Sequence, residues 1–278
     1  DIKGVSVDSE NVAAIIEGSE FPNEYIVISA HLDHIGTHEG EINNGADDDG
    51  SGTVAMMEIA EAFKQASLQG NNPKRSIVFL HVSGEEKGLL GSRYYVENPL
   101  YPLLQTVANL NIDMIGRLDP KRKDKDPKYI YLIGSDKLSQ ELHDISEAAN
   151  QKYTQLKLDY TFNADDDPNR FYYRSDHYNF AKNNIPVIFY FNGTHEDYHR
   201  PSDTPDKINY PLLQKRTQLI FYTLHFNGSL DNNGYIIKLN DDLEFNTSSS
   251  IRLKYYGKDT NTIYPPTLDI KWDDSIYS

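Results

Sequence analysis

The sequence predicts an α/β fold: a mixed, mostly parallel central sheet flanked by helices on both faces, with a short β-rich extension at the C-terminus. Three observations carry this reading. Four runs, Tyr25 to Ala30, Arg75 to Val82, Val107 to Ile112 and Pro186 to Phe191, are largely apolar and rich in β-branched or aromatic residues, the texture of strands buried on both faces. Helical patterns lie between them, as crossovers between parallel strands require. The 278 residues suffice for one full core. The texture changes near Gly228, so residues 1–228 form the main domain and residues 229–278, rich in Asn, Asp, Ser, Thr and Tyr, the extension.

Composition narrows the partners and the chemistry. A net charge of −15 and a pI near 4.9 argue against nucleic acid or an anionic membrane as partner, because both repel an acidic surface. No run approaches the ~18 apolar residues of a membrane span. The absence of cysteine excludes disulfides, thiolate ligands and a cysteine nucleophile, so any metal is held by Asp, Glu and His. A start at Asp1 suits a processed, exported chain, and the expected location is secreted, periplasmic or at the cell surface.

Taken in order, the strand Tyr25 to Ala30 runs directly into His31-Leu32-Asp33-His34. Extended geometry puts His31 and Asp33 on one side, which suits a metal-binding imidazole held by a carboxylate. His34 and His38 read as histidines satisfied by local hydrogen bonds. Next comes Asn44-Gly45-Ala46-Asp47-Asp48-Asp49-Gly50-Ser51-Gly52, three adjacent carboxylates between glycines. Crowding like charges costs Coulomb repulsion unless a cation compensates it. A helix from Thr53 to Ala66 follows, with Ser51 or Asp49 as N-cap. The strand Arg75 to Val82 leads to Gly84-Glu85-Glu86-Lys87-Gly88, two acids where open α/β sheets build their sites. One acid suits a metal ligand and its neighbour a free proton acceptor; the bland alternative is the acidic first turn of the helix Leu89 to Val96. The strand Val107 to Ile112 delivers Asp113.

Further along, residues 119–128 read as a charged loop, Tyr129 to Ile133 as a strand and Leu138 to Tyr153 as an amphipathic helix with His143 on its solvent face. Asp165-Asp166-Asp167 is a second acidic cluster with no helix or strand beside it, which reads as a solvated loop or as an adventitious site for an additional Ca²⁺. Ser175 reads as the N-cap of the next helix. After the strand Pro186 to Phe191, residues 195–199 match H-E-x-x-H, but Gly193, Pro201 and Pro205 leave no room for the long helix on which that motif works. A loop with one liganding histidine is the better reading. The last helix runs from Tyr210 to His225.

The motifs SAHLDHIG, NNGADDDGSG, SGEEKGLLGS, NLNIDMIGR, YRSDHYNF and EDYHRPSDTPDKI together resemble the M28 family of co-catalytic zinc aminopeptidases, over roughly residues 11–226. The resemblance implies a zinc-peptidase, phosphorylase/hydrolase-like fold and two Zn²⁺ per chain. It implies that His31 and Asp113 bind one zinc, Glu86 and His199 the other, and Asp48 both. It places Glu85 on the general base, Asp33 on the carboxylate that orients His31, and Tyr198 on an oxyanion donor, and it implies a cis peptide between Asp48 and Asp49. The expected activity is removal of N-terminal residues from peptides by a metal-bridging hydroxide.

Charge counting agrees. Two Zn²⁺ balance Asp48, Glu86, Asp113 and one hydroxide, leaving Glu85 as surplus negative charge that favours a cationic α-amine. The cations near the ligand loops are Lys87, Arg117, Arg174 and Arg200, of which Arg174 is the one suited to a carboxylate. Phe171, Tyr172 and Tyr173 suit the wall of an apolar pocket. The alternatives are an M28-like carboxypeptidase or glutaminyl cyclase and, in another class, an inactive binding module of the same fold. Side-chain preference and oligomeric state are not legible.

Overall fold

The computed structural model describes residues 8–38 and 40–229. The expected β-rich extension lies outside them, except for Ser229, which ends the last helix.

Seven strands form one sheet: β1 (Val12–Ile16), β2 (Phe21–His31), β5 (Arg75–Val82), β6 (Thr106–Ile112), β7 (Tyr129–Ile133), β8 (Lys157–Asp159) and β9 (Val187–Phe191). A small hairpin, β3 (Thr37–His38) with β4 (Glu41–Ile42), stands apart. The order is β1-β5-β2-β6-β9-β7-β8. The central β5, β2, β6 and β9 are parallel; β1 pairs antiparallel with β5 and β7 antiparallel with β9, while β8 is parallel to β7. The sheet is therefore mixed and mostly parallel at its core.

Alternation along β2 decides which helix packs where. Ile26, Ile28 and Ala30 face one side, where Met56, Ile59 and Phe63 of α1 (Gly52–Leu68), Leu142 of α3 (Gln140–Ala149) and Leu219, Ile220 and Leu224 of α5 (Tyr210–Ser229) cover them. Tyr25 and Val27 face the other, against Tyr95 and Val96 of α2 (Leu90–Glu97) and Phe180 and Ala181 of α4 (His177–Ala181). Period-two burial on both faces explains why these strands read as continuous apolar runs. The four parallel strands end on the same edge, so the sheet delivers the residues that follow His31, Val82, Ile112 and Phe191 to one place.

Some boundaries differ from expectation. The helix expected to reach Tyr153 stops at Ala149 and passes into a wider turn, Asn150–Thr154. The cause is Asn150, whose Oδ1 accepts from Thr154 Oγ1 and Leu156 N and whose Nδ2 donates to Leu156 O, competing with the helical ladder. His143 is half-buried rather than solvent-facing: its Nδ1 lies 3.0 Å from Ser135 Oγ and its ring packs on Tyr160. Arg216 of α5 is fully buried and donates to the carbonyls of Tyr129 at 2.9 Å, Ile115 at 2.7 Å and Arg117 at 2.8 Å, tying the helix to β7 and to the segment after β6. Among the described residues, no helix is long and apolar enough to cross a membrane.

Candidate active site

β2 ends at His31, whose Nδ1 lies 2.8 Å from the backbone oxygen of Asp33. That contact turns Nε2 toward Asp48 Oδ1 at 3.1 Å and Asp113 Oδ1 at 3.8 Å. The expected role of the Asp33 carboxylate changes accordingly. It stands 3.7 Å from His31 Nδ1 and instead accepts the amides of Glu85 at 3.0 Å and Glu86 at 3.2 Å. Asp33 thus orients His31 through its carbonyl and the two glutamates through its carboxylate.

The acidic loop begins at Gly45, with φ of +65°, where a Cβ would stand 2.6 Å from Asp48 O and 2.7 Å from the His34 ring. Its three carboxylates part company. Asp47 Oδ1 accepts from Gly116 N at 2.6 Å and from Ser51 Oγ at 2.9 Å. Asp49 Oδ2 accepts from His31 N at 3.2 Å, while its Oδ1 accepts from Gly52 N at 3.0 Å and Met114 N at 3.1 Å. Asp49 therefore caps α1 and Ser51 does not. Asp48 points into the site, and the Asp48–Asp49 peptide is cis.

Glu85 and Glu86 sit in the turn after β5, ahead of α2 rather than in its first turn. Glu86 Oε2 lies 3.2 Å from His199 Nε2, which also stands 3.1 Å from Asp48 Oδ2. Asp113 follows β6; its Oδ2 accepts from Ser175 Oγ at 2.6 Å, and Ser175 in turn accepts from Asn111 Nδ2. Ser175 is thus no helix cap: α4 starts two residues later.

His31, Asp48 and Asp113 meet on one side, and Asp48, Glu86 and His199 on the other. His34, read from the sequence as locally satisfied, also belongs here, with Nδ1 3.1 Å from Glu86 Oε1 and 3.7 Å from Asp48 Oδ2. His31, Asp49 and Asp113 also bring donor atoms within 4.8 Å of one another, as do His34, Asp48 and Glu86. Asp49 is nonetheless a strut, because three amides already occupy its oxygens. The H-E-x-x-H match is a turn whose histidines diverge: His195 Nε2 faces Asp47 Oδ2 at 3.2 Å, and the Glu196 side chain is 72% exposed. In the second acidic cluster, Asp165 pairs with Lys137 and Asp167 accepts from the Asn169 and Phe171 amides. The metal-binding groups among the described residues do not include that cluster, so nothing there supports the Ca²⁺ reading.

The electrostatics call for added positive charge. Burial disfavours the charged form of His31, yet the Asp113 and Asp48 carboxylates close to it outweigh burial and hold its pKa well above 6.5. His199 behaves likewise, raised to about 9 by Asp48 and Glu86 against burial. Burial and the Asp113 carboxylate push Glu85 up to about 10. Buried donor atoms His31 Nε2, Asp48 Oδ2 and Glu86 Oε1 have no hydrogen-bond partner. Imidazole and carboxylate donors, converging and otherwise unpartnered, fit divalent zinc. Beside them opens a pocket lined by Asp48, Glu85, Asp113, Met114, Phe171, Arg174, Phe189, Phe191, Thr194 and Tyr198.

Comparisons with known proteins give the family and the fold. The model of Peptidase family M28 matches residues 11–224. A probable leucine aminopeptidase of Arthroderma otae is 29% identical over 217 residues, covering 76% of this chain and 55% of that protein. The probable glutamate carboxypeptidase LAMP1 of Arabidopsis thaliana is 37% identical over 105 residues, 37% of this chain and 14% of that one. BSAP, a zinc aminopeptidase from Bacillus subtilis, superposes with a TM-score of 0.61 at 24% identity, over 77% of this chain and 49% of that chain, a likeness of fold. The chain spans about half or less of the length of these relatives. Because the family's model matches residues 11–224, most of its length, the chain belongs to peptidase family M28.

Proposed function

We propose that the protein is a dizinc aminopeptidase that removes N-terminal residues from peptides. The observation that carries this reading is the convergence of His31, Asp48, Glu86, Asp113 and His199 beside a pocket that also presents Glu85. His31 and Asp113 would hold one zinc, Glu86 and His199 the second, and Asp48 both. When bound, zinc supplies Lewis acidity, polarising a carbonyl and acidifying water.

The chain's own groups do the rest. Glu85 lines the pocket without being one of the assigned ligands; the Asp113 charge that helps raise its pKa would be offset by bound zinc, leaving the Glu85 carboxylate able to take a proton from water and return it to the leaving amine. The Asp33 carboxylate fixes the backbone under it. Burial and the Asp48 carboxylate keep the Tyr198 phenol protonated well beyond the usual range, so its hydroxyl is available as a donor to developing oxyanion charge. Met114, Phe171, Phe189 and Phe191 offer apolar surface for a substrate side chain, and the surplus acidic charge suits an α-ammonium.

A second reading, carboxypeptidase, draws support from Arg174, which lines the same pocket and suits a carboxylate. Leucyl or phenylalanyl peptides with free and acetylated N-termini separate the two. The aminopeptidase reading expects acetylation to remove most of the rate; equal turnover, or sequential release from the C-terminus, refutes it and leaves the metal centre intact.

A further inference from the structure

The segment that presents His199 has no helix or strand of its own. Residues 195–199 form a turn, His199 adopts a left-handed φ of +58°, and its side chain is 35% exposed. Within the segment the His199 ring stacks on the Tyr198 ring with centres 3.8 Å apart, and the turn as a whole is held to the rest of the molecule by an external clamp. Arg117 supplies one. It follows Asp113 by four residues, with its side chain 11% exposed and its backbone fixed at both ends: its amide donates to Asn192 Oδ1 at 2.6 Å and its carbonyl accepts from Arg216 at 2.8 Å.

From this anchor Nη2 reaches Asp197 Oδ2 at 2.8 Å, two residues before His199, and Nη1 lies 3.6 Å from Asp203 Oδ1, four residues after it. Lys207 holds the other oxygen of Asp197 at 2.7 Å. Asp203 is fully buried, and its Oδ2 accepts the amides of Asp47 at 2.9 Å and Asp48 at 3.3 Å. One guanidinium thus bridges the loop after β6 to both sides of the His199 turn. The guanidinium hydrogen-bonds Asp197 and stands in ion-pair range of Asp203, a spread of charge over two nitrogens that the single ammonium of lysine does not reproduce.

Resting on the dizinc reading above, we propose that Arg117 is a positioning residue for His199, acting through Asp197. It sets metal affinity at the Glu86/His199 position and leaves the His31/Asp113 position, which hangs directly on strand ends, untouched. Neither Arg117 nor Asp197 is one of the proposed ligands.

Zinc titration of the metal-free protein by calorimetry tests this, with circular dichroism as the check of fold. Asp197→Asn and Arg117→Gln are each expected to keep one zinc at wild-type affinity and to bind the second ~10–100-fold more weakly. Because both break the Arg117–Asp197 contact, the loss in the double variant should be clearly less than the sum of the single losses, and Arg117→Lys should restore part of the loss. Two unchanged affinities, an equal fall at both positions in Asp197→Asn, or additive losses in the double variant overturn the assignment. A wild-type protein that binds fewer than two zinc ions overturns the dizinc reading itself.

Discussion

Acidification should act on His177, a residue of the YRSDHYNF motif that the proposed chemistry does not use. It opens α4, is fully buried and stacks on Phe189 with ring centres 4.7 Å apart. Burial lowers its pKa from 6.5 to about 3, against an opposing pull from the backbone of Tyr172. The folded protein therefore keeps the ring neutral in a range where the unfolded chain protonates it. Below the unfolded value of 6.5 the unfolded state binds the extra proton, so stability falls as pH drops toward 3. The slope is ~1.4 kcal/mol per pH unit, and from 6.5 down to pH 5 this one ring removes ~2 kcal/mol. His177→Phe keeps an aromatic ring against Phe189 and removes the titration. Urea unfolding at pH 7 and pH 5 checks the reasoning: wild type should lose ~2 kcal/mol more than the variant between the two. Parallel losses would show that the ring is not held neutral, and the argument from burial would fail.

Three further outcomes are expected at the site. Glu85→Gln should lower kcat ~10²–10⁴-fold with zinc content unchanged, measured by steady-state rates beside metal analysis; loss of zinc in that variant contradicts the proton-transfer role. Asp48→Ala should lower zinc occupancy at both positions and His199→Ala mainly at one, so identical stoichiometries in the two variants contradict the bridging assignment. Glu196→Gln should leave peptide hydrolysis near normal, because its side chain is 72% exposed and lies in a turn; a collapse comparable to that of Glu85→Gln would restore the single-zinc H-E-x-x-H alternative.

The strands were the most legible part of the chain. Arg75–Val82 and Tyr129–Ile133 begin and end where their largely apolar runs do, because burial on both faces keeps the middle of each strand almost free of polar residues. The short edge strands Val12–Ile16 and Lys157–Asp159 carry no such signal, being partly exposed, and the strand order depends on pairings that no local pattern encodes. At the site, residue type marked the acidic loop but could not rank its members. Asp47, Asp48 and Asp49 are chemically identical in sequence, and only their partners, Gly116 and Ser51 for Asp47 and three amides for Asp49, leave Asp48 free. His34 escaped notice because its place depends on contact with Glu86, far away in the chain, and on the missing side chain of Gly45. The motif EDYHRPSDTPDKI contained Asp203, yet its role emerges only where its carboxylate meets the Asp47 and Asp48 amides.

The Asp49 carboxylate has a consequence for the order in which the molecule is made. It is fully enclosed and joins amides from the end of β2, the start of α1 and the residue after Asp113. A chain emerging from the ribosome exposes His31 and the three aspartates long before Met114 exists to donate its amide to that clasp, and longer still before His199 appears. Only when β6 slots beside β2 does the loop take the shape that singles out Asp48. The acidic cluster is therefore complete only once the middle of the sheet is built, and any ion that Asp48 holds there is held by a loop whose shape depends on that docking.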